Sequence, residues 1–487
     1  MQQKFVDSFE SLEQRTVPDW FRDAKFGIWS HWGPQSVAMY GDWYARNMYI
    51  QGTPQYYYHL RHYGHPSQFG YKDLCGLWKA ENFDPEGLMD LYYKAGARYF
   101  MAQASHHDHF FNYDSQINRF NSVKVGPGKD ICALWQQAAK KRGMPFGLSE
   151  HLGMSYAWFS TNKDCDRFGP YQGVPYDGND PAYKDFYWEN EEYRTPMDQP
   201  VNMPSPRYSQ NKKFQQYWLA AIKEMIDKFH PELLYSDSPL PFGNAKLPDS
   251  DHMYDVYGIG MQAVAYLYND SIAQNGELRS VYLQKDNRPV IYRTGVLDIE
   301  RGQLNEINPQ PWQTDTCIGD WFYDVRAVYK TPAQIIETLV DIVSKNGTLL
   351  LNIVQKPDGT LDDEAVYLLQ ELAGWFAICG EGIYSSRPWR VFGEGDSHVV
   401  KEEAVQWNSS DLRFTQKDGK LYAFQFRAPD NGVTVIKSLT EADRVQKVEL
   451  LGHGPVAFSQ AFGVVSVQMP ENLPSKYVNA LKITLAQ

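Results

Sequence analysis

Apolar runs alternate with segments of helical periodicity along the first three quarters of the chain. Several runs are apolar at consecutive positions, which is typical of parallel strands buried on both faces. We predict seven strands, at residues 26–32, 97–104, 145–151, 233–237, 280–285, 290–293 and 348–354. Helices between them are predicted at residues 85–95, 131–141, 213–229 and 331–345.

The helix predicted at 331–345 has the clearest end signals. Thr331 can cap its first turn, Pro332 suits the first helical position, and Asn346-Gly347 can end it. Alternation of strands and helices over roughly 350 residues predicts an α/β fold, a (β/α) TIM-like barrel.

The pattern changes after about residue 385. Short strand-like runs, separated by turn signals such as Asp418-Gly419, follow at residues 421–427, 433–437, 447–451 and 464–469. They predict a C-terminal antiparallel β-sandwich. Because 487 residues are also too many for one ordinary core, we predict a barrel domain at 1–384 and a β-sandwich domain at 385–487.

The net charge of −12 argues against nucleic acid or an anionic membrane as the main partner. No run of about 18 apolar residues is present, so no membrane span is expected. Met1 to Asp19 lacks the apolar stretch of a signal peptide. We expect a secreted or periplasmic protein whose signal peptide is absent from this sequence; a cytoplasmic location stays open, as does a homo-oligomer.

Two features of composition bear on chemistry. Aromatic residues make up 15% of the chain, which suits either a large aromatic core or carbohydrate binding, because sugar C–H faces pack on flat rings. The five cysteines are odd in number, far apart and without a CxxC pair. That spacing opposes a disulfide framework and a cysteine zinc site.

Polar groups follow four successive predicted strands. The strands end in Ser30-His31, in residues 105–109 (SHHDH), in Glu150-His151 and in Asp237. In a barrel of this type the chemistry lies where strands end and loops begin. We therefore predict that these residues share one cleft.

The His106-His107-Asp108-His109 run has three interpretations. Adjacent histidines on a strand point to opposite faces, so they rarely bind one metal ion. A structural histidine cluster is the second interpretation. The third is binding of sugar hydroxyls, which neutral imidazole suits because it both donates and accepts hydrogen bonds. We favour the third, with no metal and no organic cofactor.

Asp237 could be an ordinary turn former or a catalytic carboxylate. Hydrolysis of a glycoside needs two carboxyl groups, about 5–5.5 Å apart in a retaining enzyme. A second acid would come from another loop of the same rim. Asp298, Glu300 and Glu306 are the candidates after residue 293.

Six segments in order along the chain carry a family resemblance. They are residues 20–33 (WFRDAKFGIWSHWG), 41–44 (GDWY), 83–85 (FDP), 94–99 (KAGARY), 106–108 (HHD) and 343–353 (VSKNGTLLLNI) with 358–359 (DG). Together they resemble glycoside hydrolase family 29, the α-L-fucosidases, over nearly the whole barrel. The resemblance implies a retaining exo-α-L-fucosidase that removes terminal α-L-fucosyl residues from a fucosylated glycan by double displacement.

The resemblance also implies roles for single residues. Asp237 aligns with the nucleophile, and Tyr235 replaces the tryptophan of the family's Trp-x-Asp. Asp42 stands where a Glu is usual. The residues that align with fucose-binding positions are His31, Trp43, His106 and His107, and Trp321 lies where an aromatic often meets the fucose methyl.

The acid/base is implied less directly. One family position falls on Glu300, and another falls on Gln313, which cannot donate and regain a proton. Glu300 is therefore preferred, with Asp298 and Glu306 as alternatives. The arginine usual after the fifth strand could correspond to Lys285 or Arg288, and the contact at Ser149-Glu150-His151 stays open. Rival hypotheses are a non-catalytic fucose-binding protein, an α-galactoside hydrolase and a metal-dependent hydrolase.

Overall fold

The computed structural model describes residues 4–190, 208–237, 239–242, 258–286, 289–397, 399 and 405–486. In this part of the chain the first sheet has eight parallel strands in the order β6-β5-β4-β3-β2-β1-β8-β7. They are β1 (Phe26–Ser30), β2 (Tyr99–Gln103), β3 (Phe146–Glu150), β4 (Leu233–Ser236), β5 (Val281–Gln284), β6 (Val296–Leu297), β7 (Trp312–Cys317) and β8 (Gly347–Asn352). A parallel bridge between Asp298 and Gln313 joins the two edge strands, so the sheet closes on itself.

Helices surround this sheet, as the predicted (β/α) barrel requires. In chain order the α-helices are α1 (Phe9–Leu12), α2 (Asp19–Ala24), α3 (Tyr44–Asn47), α4 (Pro54–His62), α5 (Tyr71–Leu77), α6 (Pro85–Lys94), α7 (Ile131–Lys141), α8 (Ser155–Trp158), α9 (Lys184–Tyr187), α10 (Lys212–Phe229), α11 (Gly258–Asn275), α12 (Pro289–Tyr292), α13 (Pro332–Ser344) and α14 (Asp363–Cys379). The four helices predicted from sequence correspond to α6, α7, α10 and α13. Thr331 caps α13, and Asn346 adopts a φ of 74° just beyond its end.

The interior of the barrel is a layer of large side chains. Trp29, Tyr99 and Leu233 belong to one buried cluster with Phe21. Phe21 lies in α2, and this helix covers the amino-terminal end of the barrel. Gly27 lies against Tyr99, and a methyl group there would collide with the tyrosine ring. Because this end is filled by ring packing, the opposite end is the one available for chemistry.

The prediction of a strand at residues 290–293 is wrong. Pro289–Tyr292 forms the short helix α12, and a proline suits the first turn of a helix. The chain enters the sheet only at β6, and the sequence analysis did not predict β6 or β7. β7 was not predicted because Gln313 and Asp315 point polar groups into the barrel, so the strand lacks an apolar run.

Two antiparallel sheets follow the barrel, as predicted. One has the order β14-β13-β17-β11-β10-β9 and the other β12-β16-β15. Their strands are β9 (Arg387–Glu394), β10 (Leu412–Lys417), β11 (Lys420–Gln425), β12 (Val433–Ile436), β13 (Val445–Leu450), β14 (Gly454–Pro455), β15 (Phe458–Ala461), β16 (Val464–Gln468) and β17 (Asn479–Leu485). The division of the chain at residue 384 stays a prediction.

The larger of these sheets is buried on both faces. Phe414 and Leu421 pack in the core between the two sheets, whereas Tyr422 and Phe424 pack in the barrel's own cluster. The Trp375 indole of α14 also donates to the backbone oxygen of Val478 (2.8 Å). The sandwich therefore braces α13 and α14, the helices that flank β8.

A buried ion cluster connects the two parts. Arg413 of β10 and Lys345 both pair with Asp341 of α13, and the three side chains are at most 1% exposed. A carboxylate shared by two buried cations is strongly held, because removing it leaves both charges without compensation.

Asp341→Ala is expected to lower the free energy of unfolding by about 3–5 kcal/mol, because it leaves two buried cations unpaired. The midpoint of urea denaturation, followed by tryptophan fluorescence, measures this. Lys141→Ala, which removes an ion pair with Glu86 whose two side chains are 62% and 61% exposed, is the control and should cost less than about 1 kcal/mol. Equal effects of the two substitutions would contradict a structural role for the cluster.

Candidate active site

The carboxyl ends of the barrel strands surround one cavity of about 410 Å³. Parallel strands end on the same side of the barrel, so residues that follow different strands meet there. The cavity is lined by Trp29, His31, Asp42, Trp43, His106, His107, His151, Tyr235, Asp237, Lys285, Glu300, Asp315 and Trp321.

Every residue that the sequence analysis placed in the site lines this cavity. These residues are His31, Asp42, Trp43, His106, His107, Tyr235, Asp237, Glu300 and Trp321. Two alternative acids do not line it: Asp298 lies in the barrel interior at 1% exposure, and Glu306 is on the surface. Arg288 lies outside the described residues.

Asp237 follows β4 directly, and its backbone N–H donates to the backbone oxygen of Glu150 (3.1 Å). Lys285 Nζ donates to its Oδ1 at 2.6 Å, and His107 Nε2 lies 3.4 Å from its Oδ2. Burial alone would raise the pKa of Asp237. The Lys285 ammonium and the His107 contact outweigh burial and hold the pKa of this carboxyl well below its usual range.

Lys285, directly after β5, bridges two carboxylates. Its Nζ lies 2.6 Å from Asp237 Oδ1 and 2.7 Å from Glu300 Oε2. Asp315 Oδ2 is a third neighbour at 3.7 Å. Burial would lower the pKa of Lys285, but these negative charges raise it well above its ordinary value, so the side chain stays an ammonium.

Glu300 lies at the rim of the cavity and is 41% exposed. It follows β6 by three residues. The Trp321 indole donates to its Oε1 (3.2 Å), while Lys285 holds its Oε2. Both oxygens are therefore oriented, yet the group remains open to solvent, as a proton donor and acceptor to water has to be.

Three buried histidines of the cavity, His31, His106 and His151, are neutral. Burial lowers the pKa of His31 and His106 well below the usual value, and that of His151 to about 3. Gln35 fixes one tautomer, because its amide oxygen accepts from Ala45 N–H and its Nε2 must then donate to Nδ1 of His106 (2.8 Å). The hydrogen of His106 is therefore on Nε2, facing the cavity.

His151 has the opposite tautomer. Its Nδ1 lies 3.3 Å from the backbone oxygen of Ser105 and donates to it, which leaves Nε2 as an acceptor. Nitrogens of His31, His106 and His151 lie within 4.8 Å of one another, which is a spacing compatible with a metal ion. However, a nitrogen that carries a hydrogen cannot bind a metal, so His106 as held by Gln35 does not fit this role. One fixed donor beside one fixed acceptor fits neighbouring sugar hydroxyls instead.

Asp42 and Trp43 enter the cavity from the loop after β1. Trp43 adopts the left-handed region, with a φ of 59°, which is uncommon for a bulky side chain and typical of functional positions. Its ring packs edge-on against Trp158 at 4.7 Å. Burial, with the charge of Asp320, raises the pKa of Asp42 well above its usual value. Asp42 can therefore donate a hydrogen bond as well as accept one.

Aromatic rings form the apolar part of the wall. Trp29 packs against Trp321 (5.5 Å) and against Tyr235 (5.1 Å), and His31 lies 5.6 Å from Trp321. These rings lie beside the carboxylates and histidines, so the cavity has an apolar side and a polar side. That combination suits a sugar ring, which has C–H faces and hydroxyl edges.

Four lining residues have no settled role from the sequence alone. Lys285 and His151 were considered but not placed, although each is the last residue of a predicted strand, which is the signal that identifies them. Trp29 was treated as part of its strand. Asp315 was missed entirely, because its strand β7 was not predicted.

Comparisons with known proteins identify the family of this chain. A family model described as α-L-fucosidase matches residues 1–381, and one described as α-L-fucosidase C-terminal domain matches residues 406–484. The tissue α-L-fucosidase of Mus musculus is 26% identical over 495 residues, which cover 99% of this chain and 95% of that protein. That of Homo sapiens is 25% identical over 497 residues, with 99% and 92% covered.

A crystal structure of the Thermotoga maritima α-fucosidase in complex with fucose is also similar. It has a TM-score of 0.74 and 23% identity, and the match covers 99% of this chain and 100% of that one. At this identity the likeness bears on the fold, and it agrees with the barrel and sandwich described above. Since the α-L-fucosidase model spans most of the chain and its C-terminal companion matches the remainder of the fold, the chain belongs to the α-L-fucosidase family of glycoside hydrolases.

Proposed function

We propose that this chain is a retaining exo-α-L-fucosidase in which Asp237 is the nucleophile and Glu300 the general acid and base. Its substrate is a fucosylated glycan, from which it removes the terminal α-L-fucosyl residue. One observation carries the proposal: a single ammonium holds the two carboxylates close together. His31, Asp42, Trp43, His106, His107, Tyr235 and Trp321 bind the sugar.

The Lys285 bridge limits the distance between the carboxylates. Asp237 Oδ1 and Glu300 Oε2 are no further apart than the sum of their contacts to Nζ, about 5.3 Å. Retaining glycosidases place their carboxyl groups about 5–5.5 Å apart, whereas inverting ones leave about 6.5–9.5 Å for a water molecule. The spacing supports direct attack by one carboxylate on the sugar.

The environments of the two groups support different roles. Asp237 is 14% exposed and is kept ionised by Lys285, as a nucleophile must be. Glu300 lies at the rim, where the departing oxygen leaves and water enters. Asp298 lies below the cavity and Glu306 outside it, so neither reaches a glycosidic oxygen bound beside Asp237.

The reaction then has two steps. Asp237 attacks C1 of the fucoside while Glu300 gives its proton to the leaving oxygen, which forms a fucosyl-enzyme ester. Glu300 next takes a proton from water, and that water attacks C1 and releases L-fucose with net retention. Proximity of the two groups makes both steps effectively unimolecular.

The shape of the cavity supports an exo mode and a 6-deoxy sugar. Strand ends and rings close it at depth, so it takes a chain end rather than a chain interior. The Trp29, Tyr235 and Trp321 rings form an apolar wall that suits a methyl group. An α-galactoside would place its C6 hydroxyl against such a wall, where burial without a partner is costly.

Location and assembly are proposed separately. None of the helices in the described part of the chain has the length and apolar character needed to cross a membrane. We propose a secreted or periplasmic enzyme, and sedimentation analysis would test whether it forms a homo-oligomer.

Asp237→Gly is expected to lower turnover of an aryl α-L-fucoside by at least about 10⁴-fold, because the ester intermediate cannot form. Initial rates measure this, and circular dichroism checks that the fold is retained. Near wild-type turnover would exclude Asp237 as the nucleophile. A non-catalytic fucose-binding protein would instead show no turnover before substitution.

Glu300→Ala is expected to be rescued by azide. An activated aryl fucoside needs little acid assistance, so the fucosyl ester still forms but water attacks it slowly without the base. Azide needs no base, and its attack should give α-L-fucosyl azide, detectable by NMR. Glu306→Ala is the matched control and should show neither the defect nor the rescue; rescue in that variant alone would move the assignment to Glu306.

Lys285→Met is expected to move the acid limb of the kcat/KM pH profile to higher pH. Loss of the ammonium removes the charge that lowers the pKa of Asp237, so that pKa rises and protonation of the nucleophile begins at higher pH. The profile is measured from about pH 3 to 8. Lys141→Met, at an exposed lysine of α7, is the control. An unmoved limb would exclude Lys285 as the charge that keeps Asp237 ionised.

A further inference from the structure

Two buried carboxyl groups lie directly beneath the proposed catalytic pair. Asp298 and Asp315 are 1% and 0% exposed, and their carboxyl groups are close enough to interact directly. Gln313 Nε2 donates to Asp298 Oδ2 (2.7 Å), and the Tyr235 hydroxyl donates to Asp315 Oδ2 (3.0 Å). No donor in the described ranges reaches Oδ1 of either residue. Two carboxyl groups can form a hydrogen bond only if a proton lies between them.

The charge around the pair leads to the same conclusion. The groups that face it are Lys285 from the end of β5, Tyr99 from β2, Tyr235 and Asp237 from β4, and Glu300. One ammonium is thus shared among four carboxyl groups. Burying Asp298 and Asp315 with both groups ionised would be unfavourable, because like charges at such short distance cannot both stay ionised.

The proton has a preferred place within the pair. Asp315 Oδ2 lies 3.7 Å from Lys285 Nζ and accepts from Tyr235, so a negative charge there is compensated. Asp298 receives only the neutral amide of Gln313. Burial, followed by their mutual repulsion, raises the pKa of Asp298 well above its usual value.

We propose that Asp298 and Asp315 share one proton, held on Asp298, and that the ionised Asp315 is a positioning residue for the nucleophile. It acts through two groups, the Tyr235 hydroxyl and the Lys285 ammonium. The proposal rests on Asp237 being the nucleophile.

The Tyr235 hydroxyl has one hydrogen and two acceptors. Asp315 Oδ2 is 3.0 Å away and Asp237 Oδ1 is 3.2 Å away. An ionised Asp315 takes this hydrogen, so Asp237 Oδ1 is held by Lys285 and not by the hydroxyl. Without the charge on Asp315 the Tyr235 hydroxyl turns to Asp237 and stabilises the free carboxylate. This hydrogen bond weakens as Asp237 gives its charge to C1, so it stabilises the ground state more than the transition state.

A matched pair of isosteric substitutions tests the positioning role. In Asp298→Asn the new amide can donate to Asp315 Oδ1 in place of the shared proton, and the charge stays on Asp315. In Asp315→Asn the amide donates to Asp298 instead, and the charge moves away from Lys285 and Tyr235. We expect Asp315→Asn to lower kcat by about tenfold or more with little change in KM, the size of one charge-assisted hydrogen bond.

Asp298→Asn should lower kcat by less than about threefold, since the charge stays on Asp315. Equal losses in the two variants, or a larger loss in Asp298→Asn, would overturn the proposal. The same comparison in a Tyr235→Phe background identifies the route. The effect of Asp315→Asn should shrink there, and an undiminished effect would exclude the hydroxyl route.

The shared proton is tested without any activity measurement. A carboxyl whose folded pKa is raised contributes stability below its unfolded pKa, near 4, and that stability is lost as pH rises toward the folded pKa. Asp298→Asn removes this loss, so its Tm relative to wild type should increase as pH rises from about 4 to 7. A Tm difference that is constant over this range would exclude the shared proton. Because stability is the readout, this result is independent of whether Asp237 proves to be the nucleophile.

Discussion

The Lys285 ammonium is the charge on which the active-site geometry depends. It lies among Asp237, Glu300 and Asp315, and its side chain is 16% exposed. Carboxyl groups that converge on a buried point repel each other unless a cation lies between them or one of them takes up a proton. Here Lys285 is the cation, and the proton proposed between Asp298 and Asp315 removes one further negative charge. The ionisation of Asp237 and its short distance to Glu300 follow from the contacts of Lys285 with these two carboxylates.

The barrel is what brings these charges together. Asp237, Lys285 and Glu300 come from three successive strand ends, and Asp315 points inward from β7 after the bridge between Asp298 and Gln313 closes the sheet. Parallel strands of one closed sheet end on one side, so residues far apart along the chain become neighbours. The rings of Phe21 and Tyr99 pack at the opposite end, and the Asp341 ion cluster ties the sandwich to the helix before β8.

Two histidines on the polar side of the cavity are held in neutral form. His106 and His151 are buried and uncharged, and each has one nitrogen committed to a partner outside the cavity, the Gln35 amide and the Ser105 backbone oxygen. Neutral, fixed tautomers present one donor and one acceptor without adding positive charge beside Asp237. The hydroxyl-binding interpretation of His106 therefore has a physical basis in these contacts.

The sequence by itself determined the fold class, most strands and most of the residues that surround the cavity, because buried parallel strands leave consecutive apolar runs and polar residues mark where they end. It did not determine β6 and β7, since β6 has two residues and β7 alternates polar groups toward the barrel interior. Nor could it choose between Lys285 and Arg288 or reveal Asp315. Which charges meet, and therefore which carboxyl groups stay ionised, depends on distances across the closed sheet, and only the tertiary structure decides those.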